Sequence, residues 1–322
     1  MADPIIITSP SAWKRFTDLV ARTADSDIAY NFRRSPVTML AAAGVAIILF
    51  LALFAPLIAP YNPFDPGSVD IMNADLPPAW VDGGQSAYLL GTDNQGRDIL
   101  STLMYGSRIS LGVGFAAVVF SLVVGVLLGL LSGFLGGYTD AFIMRIADIQ
   151  LSFPAILIAL LVDGVLYGIL PREMHGDFWF PILVFSIGIS GWVQYARTVR
   201  GSTMVEISKE YVQAARVIGI SPAKIMIRHI LPNVMGPVLV IATINLAVAI
   251  ITEATLSFLG VGVPITSPSL GTLIRIGGDY LYSGEWWITI FPGAMLILIA
   301  LSVNLLGDWL RDALNPRLRS EE

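Results

Sequence analysis

Apolar positions gather into long runs free of charged residues: Val37 to Ala59, Ile109 to Thr139, Ile149 to Val162, Phe178 to Ala196, Ile230 to Thr252 and Trp286 to Gly307. A helix needs about 20 apolar residues to cross the hydrocarbon core of a bilayer. Five runs meet that length. The third reaches it only by starting near Phe142 and carrying Arg145 and Asp148 into the interface, where their i,i+3 spacing lets them pair. The pattern predicts an all-α integral membrane protein with six transmembrane helices. It divides the chain into an N-terminal segment 1–36, a first span 37–59, a loop 60–108, a core 109–308 and a tail 309–322. The first run begins after residue 36 and is too long for the core of a secretory signal, so no cleaved signal is expected.

Between the fourth and fifth runs the periodicity changes. Met204, Ile207, Tyr211, Ala214 or Ala215, and Ile218 recur at steps of three and four, with Lys209, Gln213 and Arg216 on another face, which predicts one amphipathic helix. Gly219 suits a left-handed C-terminal cap, and Ser221 followed by Pro222 predicts the N-cap and first turn of a second helix running to Leu231 and Pro232. The segment from about 204 to 232 thus reads as helix, sharp turn, helix. Such a unit fits a partner's groove or lies on the headgroups, and geometry alone leaves both open. Trp13, Phe16 and Val20 predict a further amphipathic helix on the membrane surface. Gly125, Gly129 and Gly133, four residues apart, predict close helix packing.

Composition agrees: 55% of residues are hydrophobic and 13% charged, outside the range of soluble domains. With six spans, 15 of the 19 Lys and Arg fall on the side of the termini and the 204–232 segment, leaving Arg97, Arg108, Arg172 and Arg275 opposite. Positive charge stays cytoplasmic, so both termini and the 204–232 segment are expected there, with the acidic 60–108 loop outside. The absence of cysteine removes disulfides and thiolate metal sites.

Candidate chemistry is sparse. In "GTDNQGRDIL" Thr92 or Asp93 is expected to cap a helix beginning near Arg97, with Gly91 and Gly96 serving the turns. Asp93, Asn94 and Asp98 lack the bidentate glutamate of a calcium loop. Glu253 follows the apolar run and is expected near the outer interface, where water lowers its cost, in a structural rather than a substrate contact. Asn245, mid-span, is expected to bond a neighbouring helix. Asp148, Asp163 and Asp279 are placed at interfaces or in a loop. With His175 and His229 far apart and no HExxH or GxSxG, an intramembrane protease is disfavoured. A secondary transporter wants paired ionisable groups near the midplane, and Glu253 alone does not supply them. No GxxxxGK[ST] is present, so ATP is not expected to bind this chain.

"QAARVIGISPAKIMIRHILP" resembles the EAA loop of ABC importer permeases, with Gln213, Ala214, Ala215, Gly219, Leu231 and Pro232 on its pattern. Gln213 stands where the family has Glu, and His229 where it has Ile. "RRSPVTMLAAAGVAIILFLALFAPLIAPYNP", "LLGTDNQGRDILSTLMYGSRISLGVG", "TEATLSFLGVG" and "WWITIFPGAMLILIALSVNLLGDWLRDALNPRLR" extend the likeness to almost the whole chain. The sequence is similar to the C-type permease of the dipeptide, oligopeptide and nickel ABC importer family.

The resemblance implies a type I importer (MetI-like) permease fold with a peripheral first span and a cytoplasmic coupling helix. Glu210, Tyr211, Gln213, Ala214, Ala215, Arg216, Gly219, Ser221, Leu231 and Pro232 would couple to an ATPase, and a charge at Ala215 or Gly219→Pro would uncouple transport without preventing insertion. Gly91, Thr92, Asp93, Gly96, Arg97 and Asp98 would form an outer gate or receptor contact. The implied partners are a second, B-type permease, two cytoplasmic ABC ATPase subunits that bind ATP and Mg, an extracytoplasmic substrate-binding protein and membrane lipid, with no nucleic acid and no cofactor in this chain. The implied setting is the bacterial inner membrane. The implied cargo is di- or oligopeptides, with nickel complexes, glutathione, opines or oligosaccharides as alternatives.

Overall fold

The computed structural model describes residues 27–65, 67, 69–264 and 266–314, and the surface helix expected around Trp13, Phe16 and Val20 lies outside them. A short helix, α1 (Asp27–Arg34), leads into α2 (Pro36–Leu53). Pro36 opens α2 where a missing N–H costs nothing, and the Ser35 side chain caps the Thr38 amide. A single turn, α3 (Ala55–Ile58), and the largely irregular 60–98 segment follow. The remaining helices are α4 (Ile99–Leu135), α5 (Gly137–Leu151), α6 (Ala155–Ile169), α7 (His175–Ile207), α8 (Glu210–Val217), α9 (Pro222–Ile225), α10 (Leu231–Phe258), α11 (Leu270–Tyr280) and α12 (Trp287–Leu314). A π-helical turn, Met226–Ile230, joins α9 to α10, making one continuous helix.

Among the described residues, five helices are long and apolar enough to cross a membrane: α2, α4, α7, the α9–α10 run and α12. The pair α5 and α6 is apolar enough to cross only when its two limbs count together, and it is bent by 97° at Ser152–Pro154, as a broken span or a re-entrant loop is. This corrects the expectation of a straight third span from Phe142. Pro154 lacks an amide proton and biases Phe153 away from the helical region, so the chain turns there. The expected Arg145–Asp148 pair gives way to an ion pair between Asp148 and Arg197 of α7.

The largest helix–helix interface is between α4 and α7, and the glycine seam makes it. A Cβ at Gly125 would lie 2.4 Å from the Tyr195 Cβ, one at Gly129 2.5 Å from the Ala196 carbonyl oxygen, and one at Gly133 2.8 Å from that of Arg200. Only hydrogen at these positions lets the backbones meet. Beyond the seam, Arg200 grips Asp140 of α5 with two bonds of 2.5 and 2.7 Å, and Gln150 bridges the Trp192 indole N–H and the Ile189 carbonyl.

The alternation of spans puts α8 and the 60–98 segment at opposite ends of the bundle. The 60–98 segment is pinned where α4 and α12 begin, by Trp287 Nε1 donating to the Thr92 carbonyl at 3.0 Å and the Tyr61 amide donating to Ser101 Oγ at 3.1 Å. Helix α11 joins that end, with Gly271 so close to Ala254 that a Cβ would fall 2.1 Å from its carbonyl oxygen.

Candidate functional site

Helix α7 stops at Ile207, Lys209 is extended, and α8 begins at Glu210. The single amphipathic helix expected from Met204 to Ile218 is therefore broken at Ser208–Lys209, and of the expected α8 stripe only Ala215 is buried. Val212 and Ala215 are the buried side chains of α8, whereas Val217 is 88% and Ile218 77% exposed. Glu210, Tyr211, Gln213, Ala214 and Arg216 are also on the exposed side.

The end of α8 follows from Gly219, whose φ is +82° and whose surroundings are empty. Its amide donates to the Arg216 carbonyl at 3.0 Å, and the Ile220 amide donates to that of Ala215 at 3.1 Å. These two bonds make a Schellman motif, which satisfies the last carbonyls of the helix and reverses the chain. Ser221 stands at the N-cap of α9 and Pro222 in its first turn, but the Ser221 hydroxyl makes no capping bond. Ile225 turns back under α8, and Leu231 and the exposed Pro232 open α10.

Val212, Ala215, Ile225 and Ile230 share one apolar cluster with Val126 and Leu130 of α4, Tyr195 and Val199 of α7, and Val234 and Val238 of α10. The crosswise unit is thereby part of the bundle core. Polar ties reinforce it. Glu206 accepts from Lys209 Nζ at 2.5 Å and from the Tyr211 hydroxyl. Asn233 Nδ2 donates to Tyr211 Oη at 3.1 Å and to the His229 carbonyl at 2.7 Å. Burial and then the Glu206 carboxylate push the Tyr211 phenol up, keeping it a proton donor. Gln213 Nε2 donates to the Ile207 carbonyl at 2.8 Å, and Arg216 lies 5.5 Å from the centre of the Phe134 ring at the end of α4. A load on α8 therefore reaches α4, α7 and α10 together.

At the other end the expectations need correcting. Helix α4 begins at Ile99, and its cap is Asp98, which accepts from the Ser101 amide at 2.8 Å, instead of Thr92 or Asp93. Burial pushes the Asp98 carboxyl up, opposed by its bonds from Ser101. Thr92 links the Leu76 amide and the Asn73 carbonyl, while Asp93 accepts from the Arg97 amide and pairs with Arg97 Nε at 2.6 Å. Gly91 and Gly96, with φ of +84° and +78°, sit tightly against backbone. Gly91, Thr92, Asp93, Gly96, Arg97 and Asp98 are buried, with Asn94 half-buried and Gln95 exposed between them. They hold the 60–98 segment on the bundle.

Glu253, expected beside water, is completely buried. It accepts from Ser257 Oγ at 2.7 Å, with Ser110 of α4 and Ser269 before α11 in hydrogen-bonding reach. Its Oε2 has no partner among the described residues. Asn245 faces Tyr195 and lines a small cavity of about 90 Å3 with Ser121, Gln194 and Thr252. Asp163, expected at an interface or in a loop, is wholly buried within α6, and neither carboxylate oxygen has a partner among the described residues. The signal was present: uncharged residues continue from Gly164 to Pro171, so Asp163 interrupts an apolar run instead of ending one.

Comparison with known proteins joins these features. Residues 125–320 match the family model described as binding-protein-dependent transport system inner membrane component, and residues 26–78 match the N-terminal TM domain of oligopeptide transport permease C. The chain is 40% identical over 274 residues to the di/tripeptide transport system permease protein DppC of Pseudomonas aeruginosa, covering 85% of this chain and 86% of that protein. It is 39% identical over 290 residues to the dipeptide transport system permease protein DppC of Escherichia coli K12, covering 90% and 92%. It is 37% identical over 293 residues to the oligopeptide transport system permease protein OppC of Bacillus subtilis, covering 91% and 90%. Among solved structures, an inward-facing MetNI methionine ABC transporter aligns with a TM-score of 0.50 at 21% identity, over 66% of this chain and 96% of that one, which supports the fold alone. The extent of the family match and the identity across nearly the full length lead to one assignment: the chain belongs to the binding-protein-dependent transport system inner membrane components, as a multi-pass ABC importer permease subunit of the DppC/OppC kind.

Proposed function

We propose that the chain forms, with a second, B-type permease, the translocation pathway of an ATP-driven importer of short peptides. An extracytoplasmic binding protein delivers the peptide, and two cytoplasmic ABC ATPase subunits hold ATP and Mg. The names of the relatives support peptides as cargo. The bias of Lys and Arg supports cytoplasmic termini and a cytoplasmic α8.

The observation that carries the mechanism is the way α8 is mounted. Its exposed edge, with Val217 and Ile218 beside Arg216, is the surface offered to an ATPase cleft, and its buried edge is continuous with the core of α4, α7 and α10. When nucleotide closes the ATPase dimer, displacement of the docked edge turns these helices as a body, because packed cores shift between discrete arrangements more readily than they deform. In this reading Glu210, Gln213, Ala214, Arg216, Gly219 and Ser221 lie along the docking side. Tyr211, Ala215, Leu231 and Pro232 fix α8 to α10.

The test is uptake of a labelled dipeptide into proteoliposomes holding the four-subunit complex. The reading predicts dependence on ATP, on the binding protein and on this chain. Nucleotide-independent uptake by the chain alone would support a secondary transporter instead.

A further inference from the structure

An open cavity of about 550 Å3 lies among α6, the start of α7, the loop after α10 and α11. Two of its lining groups carry opposite charge, Asp163 and Arg275. Asp163 is fully buried with both oxygens unpartnered among the described residues, and Arg275 forms no ion pair there and leaves its buried Nε unpartnered. A buried carboxylate without a partner is costly, and Arg275 is half-buried, with its Nε closed off from solvent and unpartnered.

The other polar groups of the wall are already engaged. The Tyr167 hydroxyl donates to the Gly262 carbonyl at 3.1 Å, His175 Nε2 lies 3.0 Å from the Leu170 carbonyl, and the two rings meet edge to face at 4.9 Å. Gly260, with φ of +83°, lies beside the guanidinium, 3.4 Å separating one Arg275 Nη from the place of a Cβ. The wall is thus fixed, and the unsatisfied bonding capacity falls on one anion and one cation. The volume is in the range of small-ligand sites.

We propose that this cavity receives a short zwitterionic peptide, with Asp163 taking the α-ammonium group and Arg275 the terminal carboxylate. The proposal rests on the peptide reading above and adds to it the groups that recognise the peptide's ends. It makes the permease itself selective for free termini, separately from whatever the binding protein selects.

The experiment measures equilibrium binding of L-alanyl-L-alanine, its N-acetyl derivative and its C-terminal amide to the complete four-subunit complex in nanodiscs without the binding protein, nucleotide-free and with ATP. In the wild-type complex, capping either terminus is expected to weaken binding at least tenfold, a comparison that needs no variant. Asp163→Asn is expected to weaken the free dipeptide to the level of the N-acetyl form and leave the N-acetyl form unchanged. Arg275→Gln should act in the same way on the dipeptide and spare the amide. Equal binding of all three ligands by the wild type, no binding in either nucleotide state, or a uniform loss for all ligands in both variants overturns the proposal. ATP-driven dipeptide uptake separates the two readings: if it persists while binding ignores the termini, only this proposal fails, and if it is absent the peptide reading fails with it.

Discussion

Gln213 and Ile207 are joined by a side-chain amide N–H donating to a backbone carbonyl at 2.8 Å, across the break between α7 and α8. An ionised glutamate has no proton to donate there and would face the negative end of α7. Gln213→Ala is expected to loosen α8 by about 1 kcal/mol, the usual worth of one such bond, seen as several-fold faster hydrogen exchange at 210–217. Gln213→Glu should exchange faster than the alanine variant at pH 7. It should recover as pH falls below about 4, where a protonated carboxyl again donates. Wild-type protection in both variants at pH 7 would show that the bond does not hold the break.

Gly219 tests the turn. Nothing lies near it, so a side chain there costs only backbone strain, about 1 to 2 kcal/mol for a left-handed residue. Gly219→Ala should insert and transport at a reduced rate. Gly219→Pro cannot adopt the φ of +82° and loses the bond to Arg216, so ATP hydrolysis should continue while uptake per ATP falls at least tenfold. Unaltered uptake per ATP in the proline variant counts against a rigid lever.

The two faces of α8 should respond differently to charge. Ala215 is 5% exposed within the shared core, so Ala215→Glu buries an unpaired carboxylate and is expected to destabilise the chain instead of merely uncoupling it. Ile218→Glu, at a largely exposed position, should leave folding and insertion intact and reduce recovery of the ATPase with the purified permease. Fluorescence-detected size-exclusion of the permease and co-purification of the ATPase report the two effects separately.

The glycine seam predicts a steric contrast. A Cβ at Gly129 meets the Ala196 carbonyl and Val199, and Gly129→Ala should cost about 1 to 3 kcal/mol by overpacking, read as a lower thermal midpoint in detergent. Gly201 on α7 has nothing within 4 Å, so Gly201→Ala should leave the midpoint unchanged or raise it. Equal effects would mean that α4 and α7 do not pack through these glycines.

The spans and the helix–turn–helix unit were legible in the sequence because both rest on local patterns: uncharged length, and glycine beside Ser-Pro. The bend at Ser152–Pro154 was foreshadowed by Pro154 but hidden by treating the apolar runs as straight. Which face of α8 is buried was not legible, since helical spacing places Tyr211 and Ile218 on one stripe while the break at Lys209 resets the phase. The burial of Glu253 and of Thr92, Asp93, Arg97 and Asp98 is not legible for a common reason: they are covered by elements distant in sequence, the region before α11 and the start of α12. Asp163 closes the run from Ile149 to Val162, which points to an interface, although uncharged residues continue beyond it to Pro171.

The central claim is that the exposed edge of α8 meets the ATPase on the cytoplasmic side. The natural absence of cysteine allows a direct measurement: single cysteines at Ile218 and at Tyr282, a 97% exposed residue at the opposite end, probed in intact cells with a membrane-impermeant maleimide and then by cross-linking in the purified complex. The account predicts that Tyr282→Cys labels from outside, while Ile218→Cys labels only after the membrane is opened and cross-links to the ATPase in a nucleotide-dependent way. Labelling of Ile218→Cys from outside, or its failure to reach the ATPase in any nucleotide state, would contradict the account.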